Sequence, residues 1–433
     1  MSCDTEVRAI HGRDGDFLLR STLWPVNACC LPATSRWPAN RLAHRRREIC
    51  LNLAGLGARE ALAMARYRLE VLTSLDALRA LAADWDALWL RSDAPAPTSR
   101  AETVAQWVEA FAPQARLCIP VVLDDSQPVA AMLFAGRKIG GPLELGTLAI
   151  NDWCDCGDLL LDPAARTDEA LDLLLQGMMR HARWPLIRIE STALDQPRWR
   201  SLVAAVERAG LGVHVQPDCE VGRVVLPVDW KEYEASWSAN HRRHMRRAER
   251  RALADGPLEL HAYENPTGLQ LRELLERGFE IEDLSWKGAA GTSVRQNAQL
   301  AEFLVRQSEQ LAAWGQLVLV FLEHCGRPIA FELGHVAKGV YFSTKVGYDP
   351  AYADYTPGQL LRLLWLRRLH AEGTVRTVDF WGPLVDATAK WSNQSYRAGR
   401  MTIAMPGFAG RGLFALYGLA RRAKQSLAAP GEP

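Results

Sequence analysis

The chain has 433 residues, 48% of them hydrophobic, and a formal net charge of +1. That length exceeds one ordinary core, so two domains are expected. The balanced charge argues against nucleic acid as the main ligand, and no apolar run approaches the length of a membrane span.

Residues 1–63 contain arginine but no lysine and show no sustained periodicity, so a poorly ordered N-terminal extension is expected there. Patterning starts at Met64. The stretch "YRLEVL" (67–72) predicts a strand, and a helix capped by Thr73 or Ser74 follows. "SDAPAPTS" (92–99) breaks the pattern as a loop. Residues 116–124 and 127–136 predict a hairpin, followed by a helix over 167–183, a strand over 185–191 and a helix over 197–209. The second half repeats this order. Residues 316–323, 327–335 and 339–347 predict a three-strand meander with turns at "HCGR" and "VAKG". A helix over 356–373 and a strand over 375–382 follow. "PVAAMLF" against "PIAFELG", and "LIRIEST" against "VRTVDFW", suggest two copies of one α/β unit. The expected domains are 64–215 and 216–410, with 411–433 a basic amphipathic tail able to meet a membrane surface.

The nine cysteines are odd in number and scattered, which reads as the reduced thiols of a cytoplasmic protein. The N-terminus lacks the order of a signal peptide. Cys154 and Cys156 have no second Cys/His pair at zinc-ligand spacing, so no metal is expected.

Helical spacing picks out one carboxylate. With Leu271 at 0°, Leu274, Leu275, Gly278, Phe279 and Ile281 form one apolar face, and Glu282 falls at about 20°, in its middle. A carboxylate there is protonated, paired or lining a cavity. It is either a general base or a structural partner of a nearby Arg or Lys. Trp286 falls at about 60° on the same face, and Lys287 at about 160°, pointing away.

Three further stretches carry candidate chemistry. "DYTPGQLL" (354–361) opens a helix with Thr356 as N-cap, Pro357 in the first turn and Gly358 allowing close approach. It is either an anion site or simply a well-capped helix. "VDFWGPLVDATAKW" (378–391) ends a strand near Asp379 and places Lys390 after a loop. Asp379 is either a surface residue or one that orients a base or nucleophile. "SANHRRHMRRAERRALADG" (238–256) carries six arginines on one side of an amphipathic helix. That face is either solvated or a contact for RNA, anionic lipid or anionic glycan.

With "NDWCDCGDLLLDP", "EDLSWKGAAGTSV", "VGYDPAYADYTPGQLL" and "VDFWG…AKW" in view, residues 67–406 resemble the CelD-type, FemAB-related branch of the GNAT superfamily. The branch is associated with cellulose and polysaccharide biosynthesis. The resemblance implies an α/β mixed-sheet fold with tandem GNAT-like acyl-CoA N-acyltransferase domains. The first would be degenerate, and the second would keep the acyl-donor site. It implies acyl transfer from acyl-CoA, such as acetyl-CoA, to an amine or hydroxyl of a small molecule or polysaccharide precursor.

By motif, Lys345, Thr356, Pro357, Gly358 and Gln359 are candidates for holding acyl-CoA. Trp286, Lys287, Tyr348 and Lys390 are candidates for the acceptor, and Glu282 and Asp379 for catalysis. Two departures stand out: Ala389 occupies the position before Lys390 where the family often has Tyr, and His335 near the meander turn is either a second base or a turn histidine. Two other functions fit the same resemblance. One is a FemAB-like transferase using aminoacyl-tRNA, although tRNA is not the expected partner. The other is a non-catalytic assembly factor for polysaccharide synthesis.

Overall fold

The structure is a computed structural model that describes residues 67–138 and 143–428, and beyond Arg421 its backbone only. The expectation for residues 1–63 lies outside the described residues. In chain order the strands are β1 (Tyr67–Leu72), β2 (Leu117–Asp124), β3 (Gln127–Ala131), β4 (Phe134–Lys138), β5 (Glu144–Thr147), β6 (Leu160–Leu161), β7 (Leu186–Ala193), β8 (Val213–Val225), β9 (Leu258–Glu264), β10 (Leu317–His324), β11 (Arg327–Ala337), β12 (Val340–Tyr348), β13 (Thr377–Pro383) and β14 (Gln394–Ala404). The helices are α1 (Leu75–Ala80), α2 (Ala82–Arg91), α3 (Ala101–Phe111), α4 (Thr167–His181), α5 (Pro197–Arg208), α6 (Trp230–Ser236), α7 (Ala239–Asp255), α8 (Gly268–Leu284), α9 (Trp286–Ala289), α10 (Ala298–Ala313), α11 (Pro357–Glu372), α12 (Asp386–Ala389) and α13 (Phe408–Ala428).

Among the described residues one mixed sheet runs in the order β6-β3-β2-β4-β5-β7-β14-β8-β13-β12-β11-β10-β9, with β1 beside β2. The meander β10-β11-β12 is antiparallel, and β13 lies parallel to β12 after the crossover through α11. In the first half β7 lies parallel to β5 after α4. Each half thus carries a strand laid parallel to an earlier one after a helical crossover, as their sequence similarity suggests.

Strand β14 joins the halves by pairing with β7 on one side and β8 on the other. Residues late in the chain therefore sit inside the sheet between the halves, and the boundary expected at 215/216 falls within β8. The sequence hides both central strands. β8 carries Pro217 and Asp218, residues that normally argue against a central strand. The ladder accommodates Pro217 at a register shift opposite Gly399. A side chain at Gly399 would overlap the Gln216 carbonyl oxygen at 2.2 Å, so glycine is required there.

Alternating residues of β10 feed two cores. Leu319 and Phe321 join α8 and α10 on one face, while Val318, Val320 and Leu322 join α7 and α11 on the other. The helical face read around Leu271 is buried as expected, including Gly278 against Phe331. The helix expected after Ser74 breaks at Leu81 into α1 and α2, and Ser74 is its N-cap, accepting from the Ala77 amide at 3.2 Å.

Candidate active site

Strands β12 and β13 pair only from Val340 to Phe342 against Thr377 to Asp379, and then part. On the face away from α11, the opening meets a cleft walled by both halves. One lobe has a volume of about 240 Å³ and is lined by Asp155, Arg198, Asp379, Trp381 and Tyr396. A second lobe of about 370 Å³ shares Asp155, Trp381 and Tyr396 and adds Cys154, His335 and Lys345.

The first half supplies Asp155 from a short self-bonded loop. Asn151 accepts from the amides of Trp153 and Cys154 at 2.9 Å, an Asx turn. Thr98 donates its hydroxyl to the Asp155 carbonyl at 2.7 Å. Below the loop, buried Arg198 bridges Asp158 at 3.0 Å and Asp93 at 3.2 Å.

Trp381 links the two halves of the site. Its backbone amide donates to Asp379 at 2.8 Å, and its indole N–H donates to Asp155 at 3.1 Å. To do so it takes φ 45°, a left-handed conformation unusual for a bulky residue. Tyr396 donates its hydroxyl to Asp379 at 3.4 Å. Burial raises the Asp379 carboxyl to about 6 and that of Asp155 to about 7, with the donors at Trp381 opposing part of the shift. Both values suit a general base near neutral pH.

The neighbouring groups are weaker candidates. Burial lowers His335 to about 3, so its ring is neutral, and its Nδ1 is buried without a partner. Burial raises the Cys154 thiol to about 12. Among the described residues no group of three metal-ligating side chains occurs.

Glu282 is buried on its apolar face, but neither oxygen faces the cleft freely. Oε1 receives the Lys287 ammonium at 2.7 Å and Oε2 receives the Val294 amide at 3.0 Å. Lys287 also donates to the Val346 carbonyl at 2.9 Å. Helical spacing sent Lys287 away from Glu282 and put Trp286 beside it. The structure corrects both expectations because α8 ends at Leu284 and Ser285 caps a new turn. Lys287 folds back, and Trp286 is 58% exposed.

The start of α11 is also different in detail. Thr356 stands at the N-cap position with φ 50°, but its hydroxyl caps nothing and is buried without a partner. The amides of Gln359 and Leu360 both bond the Thr356 carbonyl, at 2.9 and 3.1 Å. Pro357 has no N–H, so the Gly358 amide and the Thr356 hydroxyl are the groups left for an anion. Gly358 opens toward Tyr348, whose ring would be 3.7 Å from an added Cβ. Gln359 is engaged by the indole of buried Trp391 at 2.6 Å.

Lys345 donates to the Trp153 carbonyl at 3.2 Å, and burial lowers its pKa. It thus lies in the cleft rather than beside the start of α11. Lys390 is exposed and does not line the cleft. The structure therefore brings Lys345 and Asp379 to adjoining lobes and Tyr348 to Gly358. It leaves Glu282, Lys287 and Lys390 outside. Asp155, Trp381 and Tyr396 were not singled out from the sequence, although the motif "NDWCDCGDLLLDP" contains Asp155.

This arrangement of meander, crossover helix and parted parallel strand has a counterpart among known proteins. Residues 239–391 match the model of the Acetyltransferase (GNAT) domain. The match spans α7 to Trp391 and includes the parted strands, the start of α11 and Asp379. No curated protein matches the chain. Among solved structures, FemX aligns with a TM-score of 0.54 at 11% identity, covering 80% of this chain and 99% of that one. A tandem GNAT protein from the clavulanic acid biosynthesis pathway aligns at 0.42 and 15%, covering 79% and 100%. The C-terminal domain of a putative lysylphosphatidylglycerol synthetase from Agrobacterium fabrum aligns at 0.46 and 13%, covering 78% and 96%. At these identities the likeness is one of fold, and it rests on FemX. The mixed α/β fold built on one large mixed sheet is the one expected.

Proposed function

We propose that the chain is an acyltransferase that moves an acyl group from acyl-CoA to an amine or hydroxyl of a small molecule or polysaccharide precursor. The observation that carries this reading is the cleft at the parted strands of the GNAT domain, where Asp155 and Asp379 face one space across Trp381. Acyl-CoA would lie along the parted edge of β12, its phosphates near the Gly358 amide and the Thr356 hydroxyl. The acceptor would occupy the cleft on the opposite face of the sheet.

The acceptor nitrogen or oxygen attacks the thioester carbonyl. A new C–N or C–O bond forms, the C–S bond breaks, and the thiolate leaves. Asp155 or Asp379, ionised near neutral pH, takes the acceptor's proton, which passes on to the thiolate. Lys345, which lines the second lobe and whose pKa burial lowers, orients the acceptor.

Purified protein tested on CoA-agarose and on tRNA separates the readings. Retention on CoA-agarose with release by free acetyl-CoA is expected. Binding of tRNA alone would point to an aminoacyl transferase, and binding of neither to an assembly factor.

A further inference from the structure

The last helix has two unlike faces. Toward the protein, Phe414 stacks on His214 with ring centroids 4.2 Å apart, and Gly410 lies against the carbonyls of Met405 and Pro185. Away from it, Phe408 is 97% exposed, Leu416 62% and Leu419 60%. Helical spacing puts these three and Ala415 within an arc of about 100°. In a water-soluble setting a helix buries such a stripe. Here it faces outward.

The charge on this helix is one-sided. From Phe408 to Ala428 the sequence holds four cations, Arg411, Arg421, Arg422 and Lys424, and no acidic residue. The whole chain, by contrast, balances 51 basic residues with 50 acidic ones. A second copy of this helix would satisfy the stripe but would bring arginines against arginines. A surface of anionic lipid meets both features, because headgroups take cations such as Arg411, beside the stripe by helical spacing, while the stripe enters the acyl boundary.

We propose that α13 lays its outer face on an anionic bilayer and holds the enzyme at a membrane surface. Among the described residues no helix is long and apolar enough to cross a membrane, so the contact is peripheral. The helix packs through Phe414 and Tyr417 on the edge formed by His214, and so does not need to leave the core to bind.

The test uses the full chain in vesicle flotation, with phosphatidylcholine alone and with added phosphatidylglycerol. Flotation with the anionic vesicles and little with the neutral ones is expected. The double variant Leu416→Ser and Leu419→Ser should lose binding, with its melting temperature and thioester turnover in solution unchanged, because both side chains lie outside the core. Arg411→Ala should weaken binding about fivefold. Absence of flotation, or equal flotation of the serine variant, overturns the proposal. So does a concentration-dependent dimer that the serine variant dissolves, which would assign the face to a second copy.

Discussion

The indole of Trp381 donates to Asp155 across 3.1 Å, joining the end of β13 to a loop of the first half. The first half therefore does more than support the second. It completes the cleft with a carboxylate that the second half's own residues do not provide. This explains why the sheet runs unbroken through β14 and β8, since a hinge between the halves would separate the pair.

Burial raises both cleft carboxylates, to about 7 for Asp155 and about 6 for Asp379. Turnover should therefore rise with pH through this range as the base ionises. Asn at the base position should lower turnover about 10²–10⁴-fold, with acyl-CoA affinity retained. The same shifts act on stability. Both groups bind protons more tightly in the folded chain, so their contribution is full below the unfolded carboxylate pKa of about 4 and is lost as pH rises through about 6 to 7. The double Asn variant should lack that part of the loss, as thermal melts across this window would show. Parallel melting curves for variant and parent would count against the buried assignment.

Glu282→Gln should act on stability rather than turnover. Both carboxylate oxygens are engaged, by Lys287 and by the Val294 amide. Loss of the charge leaves Lys287 without its partner and should cost about 1–3 kcal/mol, with turnover per folded molecule nearly intact. A folded variant with turnover down a hundredfold or more would restore Glu282 as the base.

Gly358→Glu should remove acyl-CoA binding without unfolding the protein. Space is available, since only the Tyr348 ring comes within 4 Å of an added Cβ. An acidic residue in the first turn also favours the helix dipole. The carboxylate would then occupy the place of the phosphates. Calorimetry with acetyl-CoA and a circular-dichroism spectrum check both halves of the statement. Unchanged affinity would move the donor site elsewhere.

The arginine helix α7 should bind RNA poorly. Arg242 is spent on the carbonyls of Ala235 and Trp237, Arg251 pairs with Asp354 and Arg246 with Glu234. Arg250 donates to the Arg246 carbonyl at 3.2 Å, so Arg243 and Arg247 remain, giving a salt slope of about −1.4 on a single strand at about −0.7 each. No retention of tRNA is expected at about 150 mM salt, where screening is strong. Tight binding with a steeper slope would favour the tRNA-dependent reading.

The legible parts of this protein are those where one period dominates. Leu271 to Glu282 alternate at 3.6 residues, and their burial follows the sequence, Glu282 included. Extrapolation failed at Ser285, whose hydroxyl accepts from the Lys287 amide and starts a new turn. The periodic signal says nothing about such a stop. Asp155 lay in an irregular loop held by Asn151, where no period exists to read. The strand β8 was hidden by Pro217, which only the bulge opposite Gly399 makes tolerable. The site lies where the sequence departs from regular patterns, because a cleft needs polar side chains on strands that a core would make apolar.

Trp381→Phe distinguishes the two carboxylates. The substitution keeps a ring in place and leaves the backbone amide that holds Asp379, but it removes the indole N–H from Asp155. That hydrogen bond lowers the Asp155 pKa against the effect of burial. Without it the Asp155 carboxyl should titrate above about 7. If Asp155 is the base, the rising limb of the pH–rate profile should move to higher pH, with full turnover recovered in alkaline buffer. If Asp379 is the base, the limb should stay where it was, since its own donor is untouched. Stopped assays of thiol release across pH 5 to 9 would resolve the limb, with acetyl-CoA affinity measured at each pH to separate binding from proton transfer. A variant that loses turnover equally at every pH would assign Trp381 a role in shaping the cleft instead, consistent with its strained backbone at φ 45°.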